Sequence, residues 1–243
     1  MLYLTNFWEW SGGMATYLLW TNGGRFLDAD APWPAFPEFV SGFYRSPDAI
    51  ARYHAHIRKI VGRVNTVTGR PYAEDPAIMA WQLANEPRPG GVEATVDRTL
   101  PDFHGWISAT ARLIKSLAPR HLVSTGGEGL MGSMERPGLV LSSQADDAID
   151  YHTAHVWPGN WSWLDRSDMT GTHARALDLS RPYLARHIDL AGQAGKPPVV
   201  EAIGYHRDAS DHEPDAPTAL RDPLHTLLHE AVLANARAGG PPA

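Results

Sequence analysis

"AWQLANEPRPG", residues 80–90, keeps to apolar residues apart from Gln82 as far as Ala84, then presents an amide, a carboxylate and a proline in succession. A short apolar run with such a boundary reads as a buried strand. Pro87 stops it, because proline brings no N–H to a ladder. Asn85 and Glu86 then stand at the strand's C-terminal end.

The surrounding pattern decides what kind of sheet this strand belongs to. "LYLTN" (2–6), "IMAWQLA" (78–84), "HLVSTG" (121–126), "IDYHTAHVW" (149–157) and "PPVVEAIGY" (197–205) read as strands. Helical spacing fills the intervals. Residues 46–68 open with a serine cap and a proline at the first helical position, and 102–117 put Ile107, Ala111 and Ile114 on one face. Further helical patterns lie around 173–194 and 219–238. Short strands alternating with longer helices predict α/β architecture with parallel strands, as in a (β/α)8 barrel. Only five strands are clear, too few to close one. The segment 21–39 is rich in Gly, Pro and aromatic residues and reads as a long irregular loop. No linker or fixed-period repeat appears, so residues 1–243 read as one domain.

Composition narrows the partners. A formal net charge of -6 leaves no basic stripe for nucleic acid or an anionic membrane, and no apolar stretch approaches the ~18 residues of a membrane span. No signal peptide is visible at the N-terminus. Cysteine is absent, which removes disulfides, thiolate nucleophiles and cysteine-bound zinc. Nine Trp, several beside polar residues, suit either core packing or stacking on sugars.

In a parallel barrel the C-terminal strand ends converge on one pocket. Those ends carry Asn6 and Trp8, Asn85 and Glu86, Glu128, His155 and Trp157, and Glu201. Glycoside hydrolysis needs a carboxylic acid for the leaving oxygen and a second carboxylate as nucleophile or base. Glu86 and Glu201 can supply the pair, the alternatives being a strand-end cap for Glu86 and a structural ion pair for Glu201. Because neighbours on an ideal strand point to opposite sides, Asn85 and Glu86 reach one pocket only if the chain bends there. His152 and His155, three apart on a strand, point to opposite faces, so they argue against a shared metal. His152 reads as core or bulge filler. No G-x-S-x-G or G-x-G-x-x-G occurs, and the Gly pairs at 12–13 and 126–127 lack a phosphate-binding lysine.

"LTNFWEWSGGMATYLLW", "WQLANEPR", "STGGEGLMG", "DYHTAHVWPGNW" and "KPPVVEAIGYHRD", in this order, resemble glycoside hydrolase family 5, and among its members the endo-β-1,4-mannanases. The resemblance covers nearly the whole chain. It implies a (β/α)8 barrel and a retaining double displacement on mannan, glucomannan or galactomannan without a cofactor or metal. Glu86, after the fourth strand, is then the general acid/base and Glu201, after the seventh, the nucleophile. Asn85 holds the sugar 2-hydroxyl, and His155 orients the nucleophile. Asn6, Glu128, Trp8, Trp157 and Trp161 line the substrate site, the tryptophans by stacking. Secretion or periplasmic export is the family's expectation.

Two departures qualify the likeness. His155-Val156-Trp157 stands where the family has His-x-Tyr, so an indole replaces a phenol. If residues 2–6 are the third strand, then strands 3 to 7 are present and strands 1, 2 and 8 are missing. The expectation is a fragment truncated at both ends, with unpaired edges that favour aggregation. A β-1,4-glucanase of the same fold and a non-catalytic carbohydrate-binding protein are the alternative functions.

Overall fold

The apolar run at 80–84 is a strand in the computed structural model, which describes residues 1–28, 30–211 and 213–240. The chain divides into two compact units, Met1–Tyr151 and His152–Ala243. In the first, β1 (Leu2–Tyr3), β2 (Ala80–Gln82) and β3 (Leu122–Ser124) form a parallel sheet in the order β1-β2-β3. Leu2 pairs with Trp81, and Trp81 with Val123.

The strands are shorter than expected, but the ladder outlives them. Leu83 N donates to Ser124 O at 3.0 Å, Asn85 N to Thr5 O at 2.9 Å and Glu86 N to Gly126 O at 2.9 Å. The middle chain is thus held on both sides as far as the carboxylate residue.

Helices α1 (Gly13–Leu19), α2 (Ala35–Ser41), α3 (Pro47–Val61), α4 (Glu93–Leu117) and α5 (Pro137–Ser143) complete this unit. Helix α3 starts as expected: Ser46 Oγ accepts from Ala49 N at 3.4 Å and Pro47 is the first helical residue. It ends at Val61 rather than near Thr68. Its Tyr53, Ile57 and Val61 share one buried apolar core with Phe103, Trp106, Ile107, Ala111 and Ile114 of α4.

Helix α4 begins nine residues before the expected Asp102, because Pro101 lies inside it rather than at its boundary. Proline removes one hydrogen bond there. Buried Val96 and Thr99 continue the helical face past it. The free N–H groups at its start find an acceptor from elsewhere: Glu38 of α2 takes Gly91 N at 2.7 Å and Val92 N at 3.1 Å, and also Thr95 Oγ1. Segment 21–39, expected as loop throughout, is helical from Ala35, and that short helix carries the capping carboxylate.

The second unit contains β4 (His152–Val156) paired in parallel with β5 (Pro198–Ile203), and helices α6 (Met169–Ala194) and α7 (Asp222–Arg237). Asp168 caps α6 by accepting Gly171 N at 3.0 Å. Ala154 pairs with Val200 and Val156 with Ile203. His155 therefore opposes two residues, Glu201 and Ala202, which is a β-bulge on β5.

Behind β4, His152 and His187 of α6 are completely buried and share a hydrogen bond, Nε2 to Nδ1, at 3.0 Å. Burial lowers the pKa of His152 to about 4; burial, with the charges of His152 and His155, lowers that of His187 to about 3. His152 is thus core, as its place in the strand suggests. Both rings are neutral when folded, whereas an unfolded histidine protonates near pH ~6.5. Between these values the unfolded chain binds more protons, so stability falls as pH drops from about 6.5 toward 4, by an amount on the order of a few kcal/mol. The melting temperature, measured from pH 7.5 to 4, should fall over this window and fall less in His187→Gln. Parallel curves for the two proteins would refute the assignment.

Among the described residues, no helix is long and apolar enough to cross a membrane, and no group of three or more His, Cys, Asp or Glu is arranged to hold a metal.

Candidate active site

Glu86 is where the first sheet's central chain stops being extended. Its φ is +52°, a left-handed value that a residue with a side chain adopts at a cost of order 1–3 kcal/mol. This is the bend that Asn85 and Glu86 require if both are to serve one site. The conformation is held by the bond from Glu86 N to Gly126 O at 2.9 Å. Gly126, at φ +72°, lies so close to the backbone of Ala84 that a Cβ there would collide with its carbonyl oxygen.

The Glu86 carboxyl group has a ring donor. Trp8 Nε1 donates to Glu86 Oε2 at 2.6 Å, a short hydrogen bond for an indole donor. Asn6 and Asn85 form a bridge beyond the ends of β1 and β2, and Asn85 Nδ2 donates to Asn6 Oδ1 at 3.1 Å. Asn6 Oδ1 also accepts Trp8 N at 3.1 Å, so the two asparagines tie the Trp8 turn to the Glu86 turn. The strand-end residues Asn6, Trp8, Asn85 and Glu86 are brought together.

Glu128, only 4 % exposed, is ion-paired with Arg88, two residues after Glu86. Its link to the others runs through that guanidinium, which also lies over the Trp8 ring, 5.1 Å from the centroid. Arg88 stands in the Asn-Glu-Pro-Arg stretch, yet nothing in its spacing marks it as the partner of a residue forty positions later. Only the fold supplies that.

In the second unit the bulge brings His155 and Glu201 together, with Nε2 and Oε2 3.6 Å apart. Both side chains are buried, at 3 % and 8 % exposure. A bulge re-aims a side chain out of strict alternation, and here, on a strand that is mostly half-buried, the Glu201 carboxylate lies beside a ring nitrogen. Trp157 follows directly after β4. Its indole lies against Gly204, where a Cβ would fall within the ring, and its Nε1 is buried without a hydrogen-bond partner among the described residues. Gly204 N in turn donates to Val156 O at 2.9 Å. Bulge, missing side chain and indole form one packing unit.

Trp161 is half-buried in an aromatic group rather than set apart, with centroids 4.8 Å from Trp163 and 5.0 Å from Tyr183. The roles of Arg88 and Gly204 were not legible in the sequence. A glycine three residues after a carboxylate gives no sign that an indole occupies its side-chain space.

The family model for GH family 5 beta-mannosidase-like proteins matches residues 1–242. The mannan endo-1,4-beta-mannosidase 4 of Oryza sativa subsp. japonica is 30% identical over 99% of this chain and 50% of its own length. Among solved structures, a glycoside hydrolase family 5 mannosidase from Rhizomucor miehei, crystallised in complex with mannosyl-fructose, superposes with a TM-score of 0.85 at 30% identity, over 98% of this chain and 57% of that one. A hyperthermostable endo-1,4-beta-D-mannanase from Thermotoga petrophila gives a TM-score of 0.68 at 27% identity, over 94% of this chain and 60% of that one. The chain spans about half the length of the curated relatives it matches.

Proposed function

Because this chain belongs to glycoside hydrolase family 5, in its beta-mannosidase-like branch, we propose that it forms part of a retaining endo-glycosidase that cleaves β-1,4-mannosidic bonds in mannan, glucomannan or galactomannan. The observation that carries the reading is that each of the two candidate carboxylates sits where its strand departs from regular geometry, with a ring nitrogen facing it. Trp8 serves Glu86 and His155 serves Glu201. We place residues 1–243 within one (β/α)8 catalytic domain, β1 to β5 being its strands 3 to 7.

Glu86 is the acid/base in this reading. With Oε2 accepting the indole N–H, the transferable proton belongs on Oε1. It passes to the glycosidic oxygen as the anomeric C–O bond breaks, and Glu201 forms a bond to the anomeric carbon. Water then gives a proton to Glu86 and attacks the same carbon, which releases Glu201 as a carboxylate. Asn85 holds the sugar 2-hydroxyl, a contact that strengthens as the ring flattens toward an oxocarbenium ion. Tied to Asn6, it is already oriented for this. His155 keeps Glu201 aimed, and Trp157 replaces a phenol with an indole whose N–H is buried. Glu128 acts through Arg88. Trp161 supplies an aromatic wall with Trp163.

Incubation of the purified protein with mannohexaose and, separately, cellohexaose tests the proposal. Mannohexaose should be cut internally, with the β-anomer appearing first in the proton NMR spectrum, and cellohexaose should react at least about tenfold more slowly, a difference of ~1.4 kcal/mol in transition-state binding. First release of the α-anomer would remove the retaining mechanism, and faster cleavage of cellohexaose would remove the mannan assignment.

A further inference from the structure

Trp8 is one of the three tryptophans that the family resemblance nominates for stacking on a sugar, but its half-buried ring already has aromatic neighbours. Phe36 lies against it at 5.7 Å between centroids and 12° between planes, Trp10 at 5.6 Å and 18°, and Trp33 at 6.1 Å and 29°. The Arg88 guanidinium also covers it. Its one polar atom is committed to Glu86.

The outer rings of this array differ sharply from the inner one. Trp10 is 72% exposed and Trp33 62% exposed, although each is stacked on Trp8. Two large apolar rings left open to water and already ordered carry a solvation cost that a flat, neutral partner relieves. We infer that Trp10 and Trp33 are sugar-stacking platforms that hold further units of the polysaccharide chain beyond the one that reacts, and that Trp8 is a positioning residue that couples them to Glu86. The inference rests on the acid/base role proposed for Glu86.

The chemistry fits a pyranose rather than a charged ligand. Arg88, 6.0 Å from the Trp33 centroid, is ion-paired with Glu128, so the array presents aromatic faces rather than an unpaired guanidinium. A β-linked pyranose presents C–H groups to such a face. A ring already held by its neighbours loses little freedom on binding, so most of the contact energy appears as affinity. Segment 21–39 thus has a ligand-facing role through Trp33, beside the structural role of Glu38 at the start of α4.

The test compares kcat/KM for mannohexaose and mannotriose in the parent, Trp10→Ala, Trp33→Ala and Trp10→Phe proteins. The hexaose-to-triose ratio should fall about tenfold in each alanine variant, mainly through KM, and largely recover in Trp10→Phe, which keeps an aromatic face. Mannohexaose titrated into Glu201→Gln should change tryptophan emission, and the change should shrink when Trp10→Ala is added. An unchanged ratio in both alanine variants, with parent-like melting, overturns the inference and leaves the enzymatic reading standing. Absent turnover in the parent combined with Trp10-dependent binding of mannohexaose removes the enzymatic reading and retains the platforms. Neither turnover nor binding overturns both.

Discussion

Replacing Glu201 by glutamine should lower kcat on mannohexaose by about 10⁴-fold or more, the scale on which an enzyme suffers from losing its covalent nucleophile. The amide has nearly the same size as the carboxylate and remains beside His155, which faces Glu201 Oε2 at 3.6 Å. Packing at the bulge is therefore retained, and KM and melting temperature should change little. The loss comes from chemistry: a neutral amide is a poor nucleophile toward the anomeric carbon. Glu201→Gly offers a second readout. Azide can occupy the vacated space, attack in the nucleophile's place and yield the α-mannosyl azide. A folded Glu201→Gln protein with a tenth of the parental rate would show that Glu201 is not the nucleophile.

Glu86→Ala should cost about 10²–10⁴-fold on mannohexaose, the usual worth of a general acid, and much less on a dinitrophenyl β-mannoside. The nitrated phenolate departs without a proton, so the first step no longer needs Glu86. Deglycosylation still does, and a burst of phenolate followed by slow turnover is the expected trace. Azide should then speed the second step and yield the β-mannosyl azide, the opposite anomer from that of Glu201→Gly. The two products distinguish the roles of the two residues. Equal losses on both substrates would instead place Glu86 outside proton transfer. Removing this side chain also frees the indole that donates at 2.6 Å, so the melting temperature must be checked alongside.

Legibility differed from one part of the chain to another for physical reasons. The five strands and their parallel, helix-separated order were readable because burial imposes a short apolar run on each and helical spacing on the intervals. Their ends were less so: β2 is regular only over Ala80–Gln82, while the hydrogen-bonded chain continues to Glu86. Pro101 misled because a proline costs a helix one bond, which a long buried face and a cap from Glu38 offset. The Asn-Glu-Pro motif and the carboxylate inside "PPVVEAIG" nominated Glu86 and Glu201. The groups that fix them did not announce themselves.

The order of residues thus determined the α/β class, the parallel arrangement, the family and the two carboxylates that carry the proposed chemistry, because burial and strand termination are local demands written every few residues. Tertiary structure alone decided that Glu86 turns at a left-handed φ with its N–H on Gly126 O, that Glu128 serves Arg88, that a bulge sets Glu201 against His155, and that Trp8 is half-buried while Trp10 and Trp33 stay open. Each of these depends on residues tens of positions apart sharing one space. A hydrogen bond or a stacked ring leaves no periodicity in either of the segments that make it.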